Sequence, residues 1–436
     1  MNLEQNFQSF LSEQAYAVVK AVSQIASDLG QPVFLVGGAV RDLLLGRMSH
    51  DLDFVTEGSG LALAQKICEA LDGSLTTHER FGTAVWTPPA QLFPNTVDVI
   101  TARKEIYKTP AALPEVTPSN MQDDLFRRDF TINGMAIRLG GPQHGELLDL
   151  YHGQRDLEKK LIRVFHQQSF QDDPTRTFRA ARYAGRLGFA LADGTKQALI
   201  TSLNEIKLLS ADRVRHELEK TMAEPLPMPM LEILEELEIL KAVDANLVWS
   251  DTQRIALAHL DGLMSLELGQ TAAKEVSKTD LRLSTWLTNL PQSEETALSV
   301  ANCLNVSADI RRDIEKVLKA IDASKTLEDL RPGTIEKLLR GLSAAQLTLL
   351  QANQQLPKEI KALIPTYFNR WRLIKTNTDG NTLRQLNLPP GPSYQKILDH
   401  LLAAKLNGEI NSDSEENEQL THLVQNIMTE NKKSAS

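Results

Sequence analysis

Phe34-Leu35-Val36-Gly37-Gly38-Ala39-Val40-Arg41-Asp42-Leu43-Leu44-Leu45-Gly46, followed three residues later by His50-Asp51-Leu52-Asp53-Phe54, decides how the rest of the chain is read. The apolar run Val33-Phe34-Leu35-Val36 has the length and composition of a buried strand, and it leads directly into Gly37-Gly38. Paired glycines between a strand and a helix let backbone N–H groups come close to a polyphosphate, at a helix end whose dipole favours anions. Arg41, in the first turns of that helix, adds a charged fork suited to the same phosphates. The spacing of Gly37, Gly38 and Gly46 does not match the Gly-x-Gly-x-x-Gly fingerprint of dinucleotide binding. Asp51 and Asp53 alternate along a predicted strand, so both carboxylates face one side, where they suit one or two hard divalent cations such as Mg2+.

Working outward, residues 5–29 have helical periodicity that stops at Gly30 and Pro32. From Asp51 to Asp149, β-rich segments at Leu52–Thr56, Ala84–Thr87, Val97–Ile100 and Thr131–Ile137 alternate with helical ones such as Leu61–Leu71. Beyond Asp149 strand signals almost vanish, and helical patterns continue to about residue 425, interrupted at Pro225, Pro227, Pro229, Pro291, Pro332 and Pro389-Pro390-Gly391-Pro392. No fixed-period repeat is present, which argues against a solenoid of equivalent units. The expected fold class is α+β: a mixed α/β head over residues 1–150, a helical neck over 151–224, a helical body over 225–330 and a helical tail over 331–424. The polar residues 425–436 are expected to be disordered.

Composition narrows the function classes. The chain has 436 residues with 42% hydrophobic and 24% charged, and no apolar run approaches the roughly 18 residues that cross a bilayer. No membrane association is expected, and the amphipathic N-terminal stretch has no secretory pattern, so a cytoplasmic location is the expectation. Cys68 and Cys303 are the only cysteines, too far apart for a metal motif, and are expected to be buried thiols. A net charge of −9 argues against indiscriminate coating of nucleic acid and leaves room for a local basic face.

The opening stretch resembles the first motif of the class II tRNA nucleotidyltransferase and poly(A) polymerase family, Gly-Gly-x-Val-Arg-Asp followed by Asp-x-Asp. Asp124-Leu125-Phe126-Arg127-Arg128-Asp129-Phe130-Thr131-Ile132-Asn133-Gly134 resembles its second motif, which gives Arg128 a nucleotide contact, with Arg127 as a second candidate. Asp129 is expected to orient one of those guanidinium groups. Asp149 to Leu157 resembles the connector between head and neck, where Asp149 and Gly153 are expected to fix a turn.

Asp172-Asp173-Pro174-Thr175-Arg176-Thr177-Phe178-Arg179-Ala180-Ala181-Arg182-Tyr183 resembles the family's nucleotide-selecting motif, with Asp172 where the family usually has Glu. The resemblance implies that Asp173 and Arg176 read the Watson–Crick edge of the incoming base, and that Arg179 and Arg182 make further nucleotide contacts. That chemistry is coherent, because a carboxylate accepts from the exocyclic amine of C or A while an arginine donates to the adjacent ring atom. Arg176, Arg179, Arg182 and Arg186 recur at helical spacing on one face, which calls for an anionic partner. Asp212 to Lys220 resembles the next neck segment, and Tyr107–Met121 stands where the family has a flexible loop that influences the choice between C and A. Its Pro-Ala-Ala-Leu-Pro character resembles members that add only A. No phosphohydrolase His-Asp pair stands apart from His50-Asp51.

The resemblance implies an enzyme that transfers nucleotides from CTP and ATP to the 3′ end of tRNA without a template, releasing pyrophosphate, with Asp51 and Asp53 holding Mg2+ and with Gly37, Gly38, Arg41 and Arg128 at the triphosphate. Addition of CCA, CC or the terminal A alone, poly(A) synthesis, and an inactive RNA-binding descendant are the alternatives carried forward.

Overall fold

A computed structural model describes residues 3–49, 51–291, 294–386 and 388–434, so His50 of the metal motif lies outside the described residues. The chain divides into two compact units, Met1–Val243 and Asp244–Ser436. The fold is α+β, with a mixed sheet near the N-terminus followed by helices.

The first unit opens with α1 (Glu4–Phe10) and α2 (Glu13–Asp28). The sequence predicts one helix there, but the Ser12 side chain accepts from Ala15 N at 3.1 Å and starts α2 afresh. Strand β1 (Val33–Val36) is buried along its whole length and leads into α3 (Gly38–Leu44). Then come β2 (Leu52–Thr56), α4 (Gly60–Leu71), β3 (Ser74–His78), β4 (Thr83–Thr87) and β5 (Val97–Thr101). Strands β6 (Arg103–Ile106) and β7 (Glu115–Pro118) pair with each other as a separate antiparallel ribbon. Strand β7 takes up the C-terminal part of the predicted loop Tyr107–Met121, because polar strands without alternating apolar residues carry little strand signal in sequence.

Helix α5 (Met121–Phe126) precedes a 3-10 turn at Thr131–Asn133 and then β8 (Ala136–Leu139) and β9 (Leu147–Leu148). The expected strand Thr131–Ile137 begins late because Asp129 Oδ1 accepts from Phe130 N and Asn133 Nδ2, which curls the backbone first. The sheet order is β3-β4-β5-β2-β1-β8-β9. Only β2 and β5 run parallel, with Asp53 opposite Asp98, and the other pairs are antiparallel. One face of the sheet centre packs Phe34, Val36 and Val55 against Met121 and Leu125 of α5. Both faces of β1 are therefore occupied, as its unbroken apolar run requires.

After β9 come α6 (Gly153–Glu158), β10 (Leu161–Ile162), α7 (Ser169–Asp172), α8 (Thr175–Leu187), β11 (Ala190–Leu191), α9 (Asp193–Thr201), α10 (Ala211–Ala223), α11 (Met228–Glu236) and α12 (Ile239–Val243). Asp149 fixes the turn into α6 by accepting from Gly153 N at 2.7 Å and Gln154 N at 3.0 Å. Helix α11 crosses α8 at Gly185, where a Cβ would stand 2.6 Å from Met230 Cγ and 2.9 Å from Met230 N. This close crossing joins α11 and α12 to the first unit, beyond the 224/225 boundary expected from sequence.

The second unit is helical: α13 (Asp251–Leu263), α14 (Glu267–Glu275), α15 (Lys278–Thr288), α16 (Glu294–Cys303), α17 (Ala308–Ser324), α18 (Pro332–Leu339), α19 (Ala344–Ala352), α20 (Lys358–Asn369), α21 (Gly380–Gln385), α22 (Pro392–Leu406) and α23 (Asp413–Ser434). Its centre is α15 and α19, buried nearly all round and tied at their C-terminal ends by Asn289 and Asn353. Asn353 Nδ2 donates to Thr288 O and Asn289 Oδ1 accepts from Gln354 N, each at 2.8 Å. Helix α23 runs through residues 425–434, where disorder is expected from sequence. Val424, Ile427 and Met428 dock on the cluster of Leu401 and Leu420, which gives this polar segment a reason to stay helical. Residues 435–436 lie outside the described residues. Cys303 is exposed and Cys68 half-buried, so neither is the fully buried thiol expected. Among the described residues, no helix is long and apolar enough to cross a membrane.

Candidate active site

A cavity of about 290 Å3 opens in the first unit where β1, β2, α5 and α8 converge. It collects Gly37, Gly38, Asp53, Arg128, Asp173, Arg176 and Arg179, seven residues singled out from three separate stretches of sequence. Asp51, Arg41 and Arg182 are not part of its lining.

Gly37 makes the turn from β1 into α3 with φ +71°, a conformation that side chains other than glycine rarely adopt. A methyl group there would lie 3.1 Å from Arg128 Nη1 and 3.5 Å from Asp53 Oδ2. The bare backbone thus borders a cation on one side and a carboxylate on the other. Arg128 is oriented by Asp124, whose fully buried carboxylate accepts from Arg128 Nη2 at 3.1 Å and Arg127 Nη2 at 2.6 Å. Asp124 rather than Asp129 therefore positions the Arg127-Arg128 pair. The Arg128 Nε–H is buried and has no hydrogen-bond partner, so the group retains donor capacity that an anion in the cavity fits.

Asp129 serves the selection helix instead. It is buried and accepts from Arg179 Nε at 2.8 Å and Asn133 Nδ2 at 3.0 Å. Burial alone would raise its pKa, but Arg179 and Asn133 outweigh that and hold it down to about 2. Arg179, held by Asp129, still borders the cavity. Arg182 forms a buried pair with Glu217 of α10 at 2.6 Å, and Arg186 pairs with Glu224. The anionic partners demanded by the arginine face are thus largely carboxylates of the protein. Arg182 links α8 to α10 through this pair and does not line the cavity. Arg41 is also engaged internally, with Nε on Asp42 Oδ1 at 2.9 Å and Nη1 on Asn133 Oδ1 at 2.8 Å.

Among the described residues Arg176 makes no hydrogen bond to a carboxylate, although Asp129 lies close enough to feel its charge. It donates to Ser169 Oγ at 2.5 Å and Arg127 O at 2.8 Å, which fixes the guanidinium at the cavity wall. Just ahead of α8, Asp173 accepts at Oδ1 from Thr175 N at 3.1 Å and Thr175 Oγ1 at 2.7 Å. Asp173 and Arg176 share the same cavity wall.

Asp53 stands on β2 opposite Asp98 of β5, and residues at one register of adjacent parallel strands point to the same face. Burial raises the Asp53 carboxyl to about 6, helped by Asp98 and Asp51 and opposed by Arg128. Asp98 is raised as well, by burial and by Asp51. Asp51 is exposed and lies just before β2, close enough to act on both. Crowded carboxylates with raised pKa values are what a cation-binding site presents when its cation is left out of account, so the donor set fits a divalent metal. Among the described residues, no three carboxylate, imidazole or thiol groups close into a complete cage. An ion held here would keep positions open for phosphate oxygens or water, the usual habit of magnesium.

Sequence reading missed Asp98, Glu105, Tyr107, Asn133 and Tyr183. Asp98 had a usable signal, a lone acid between the buried Val97 and Val99 of a predicted strand. Glu105 had none, since its role is to bind Arg103 and Arg127 and to accept from Tyr107 Oη at 3.1 Å, and Arg127 comes from a distant stretch of chain.

Residues 33–163 match the family described as "Poly A polymerase head domain", and residues 188–243 match "Probable RNA and SrmB- binding site of polymerase A". The A-adding tRNA nucleotidyltransferase of Geobacter sulfurreducens is 33% identical over 420 residues, covering 92% of this chain and 46% of that protein. The chain thus spans about half the length of that relative. The A-adding tRNA nucleotidyltransferase of Halalkalibacterium halodurans is 30% identical over 397 residues, covering 89% of this chain and 88% of its own. Among solved structures, an apo form of a CCA-adding enzyme superposes with a TM-score of 0.81 at 27% identity, covering 97% of this chain and 99% of that one.

Proposed function

The chain belongs to the class II tRNA nucleotidyltransferase and poly(A) polymerase family, and from that premise we propose that it adds nucleotides to the 3′ end of tRNA from CTP and ATP. The observation that carries the reading is one cavity in which Asp53, the unmatched donor of Arg128 and the Asp173/Arg176 pair meet. A phosphate-binding end, a metal-binding end and a base-reading end are what a nucleoside triphosphate requires, and they lie within one pocket.

In the proposed reaction the RNA 3′-hydroxyl oxygen bonds to the α-phosphorus as the bond to the bridging oxygen breaks, and pyrophosphate departs. Arg128 holds the triphosphate through its free Nε–H and its Nη1 face beside Gly37. Asp51 and Asp53 hold the divalent metal, with Mg2+ the ion that best suits an open carboxylate set. When bound, the ion neutralises triphosphate charge and favours ionisation of the attacking hydroxyl. Asp173 accepts from the exocyclic amine of C or A, and Arg176 donates to the neighbouring ring atom with the N–H groups not engaged by Ser169 and Arg127. The remaining catalytic work is positioning, which needs no dedicated histidine base.

A second reading, addition of the terminal A alone, is favoured by two relatives named A-adding that match along most of this chain. Both readings are tested by supplying tRNA transcripts ending at the discriminator base, at C or at CC with CTP, ATP or both, and resolving products to one nucleotide. CCA on the shortest transcript supports the full activity, and A on the CC-ending transcript alone supports the restricted one. Incorporation that is absent, or indifferent to Asp51→Ala, refutes both.

A further inference from the structure

Among the described residues two phenols line the cavity, and only one of them is closed by a partner. Tyr107 Oη donates to Glu105 Oε2 at 3.1 Å. Tyr183 Oη accepts a long bond from Arg179 Nη2 at 3.5 Å, and among the described residues its own proton meets no acceptor. The groups beside it are engaged with one another. Arg41 Nη1 donates to Asn133 Oδ1 at 2.8 Å, Asn133 Nδ2 donates to Asp129 Oδ1 at 3.0 Å, and Asp129 Oδ2 accepts from Arg179 Nε at 2.8 Å. This run of bonds leads from α3 to α8 and ends at the Tyr183 hydroxyl. The ring is held without help from that hydroxyl: the guanidinium carbons of Arg41, Arg179 and Arg186 lie 5.4, 5.6 and 5.6 Å from its centroid, and the Phe130 ring meets it at 5.8 Å, edge to face.

We infer that Tyr183 reads the sugar of the incoming nucleotide: its O–H donates to the ribose 2′-hydroxyl oxygen and so favours ribonucleotides over deoxyribonucleotides. The inference rests on the reading of the cavity given under Proposed function. In a nucleoside triphosphate the sugar joins the base to the phosphates, and Tyr183 stands at the matching junction of the wall. It lies on α8 two turns beyond Arg176 of the base end, and its ring packs on Arg41 of α3, the helix that Gly37 opens at the phosphate end. Along this stretch Asp129 and Asn133 already have partners, so Tyr183 Oη is the group with an unused donor. A site that hydrogen-bonds a substrate hydroxyl rejects the analogue lacking it, and the 2′-hydroxyl is the group by which a protein tells RNA from DNA. The 3′-hydroxyl is the less suitable partner, because it becomes the attacking group of any following addition and has to leave this position.

The test uses the full chain with a CC-ending tRNA transcript and compares kcat/KM for ATP, 2′-deoxyATP and 3′-deoxyATP in the parent and in Tyr183→Phe, beside the melting temperature. Phenylalanine keeps the ring and its guanidinium contacts, so the melting temperature stays within a few degrees of the parent. The ATP-over-2′-deoxyATP ratio falls about fivefold to tenfold, the size of one net hydrogen bond, because ATP loses a contact that 2′-deoxyATP never had. 3′-DeoxyATP keeps the 2′-hydroxyl and falls with ATP. A folded Tyr183→Phe with the parent's ratio overturns the inference, as does an equal loss on ATP and 2′-deoxyATP, which would put the phenol on a phosphate or the base. A parent that uses ATP and 2′-deoxyATP equally well overturns it too. A parent that incorporates nothing contradicts the functional reading instead. Equilibrium dialysis of labelled ATP and 2′-deoxyATP, which needs no turnover, then reads the same preference as a ratio of Kd values, and a ratio unchanged by Tyr183→Phe overturns the inference.

Discussion

The cavity beneath Gly37 and the seam between α15 and α19 are both built from buried polar groups, and they end in opposite states. In the seam, Asn289 and Asn353 are engaged at both ends of their amides: Asn289 donates to Thr285 O and accepts from Gln354 N, while Asn353 donates to Thr288 O and accepts from Gln355 N. In the cavity, Arg128 keeps a buried N–H without a partner, Arg176 has no carboxylate hydrogen bond among the described residues, and Asp53 shares its surroundings with two other carboxylates. Polar groups that pair with each other hold helices together. Polar groups left short of partners at the wall of a cavity mark where a ligand completes the set. The division also runs through a single helix, since Arg176 at the start of α8 faces the cavity and Arg182 one and a half turns on is closed by Glu217.

Substitutions should sort by that division. The largest effect expected is on stability, from Arg182→Ala, which takes the buried cation from Glu217 and leaves it only the half-exposed Lys220. Denaturant unfolding should show a loss of about 3 to 5 kcal/mol while nucleotide preference in the folded protein stays the same. Arg128→Ala should do the reverse, lowering kcat/KM for the triphosphate about a hundredfold with the melting temperature within a few degrees of the parent. A smaller change, about 2 kcal/mol of unfolding free energy, is expected for Asn353→Ala, with activity per folded molecule unaltered. An Asn353→Ala that changed base preference would break the comparison. The smallest effect is acidic. The carboxyl of Asp129 is held near 2 when folded and returns to the ordinary 3.8 when unfolded, so the unfolded chain takes up its proton first. The stability Asp129 contributes is complete above about pH 4 and is lost as pH falls toward 2, about 1 kcal/mol of it between pH 4 and 3 by urea titration.

The parts of this division legible in the sequence are those whose residues are consecutive. Gly37-Gly38, Asp53, the Arg127-Arg128-Asp129 run and Asp173 with Arg176 each sit in a short motif, and local chain geometry is enough to put their functional groups near one another. Asp98 escaped because its meaning comes from strand register, which pairs it with Asp53 across 45 positions of chain. The internal partners of Arg41 and Arg182 were not legible, because helical spacing shows which residues share a face and not what meets that face. Asp42 and Asn133 claim the first, and Glu217 claims the second from another helix. The C-terminal helix was taken for a disordered tail because Ile427 and Met428 are sparse among polar residues, and only the cluster of Leu401 and Leu420 gives them a surface to cover.

One measurement bears most directly on the claim that the cavity is a nucleotidyl-transfer site kept short of internal partners. It is the comparison of Asp53→Asn with the parent for ATP incorporation on a CC-ending tRNA transcript in magnesium, with the melting temperature of both recorded in chelator. Asp53 carries a carboxylate that burial and its neighbours oppose, so the amide should leave the melting temperature equal or higher. Incorporation should fall about a thousandfold or more. An Asp53→Asn protein that adds A as fast as the parent, or that loses its fold along with its activity, would contradict the account.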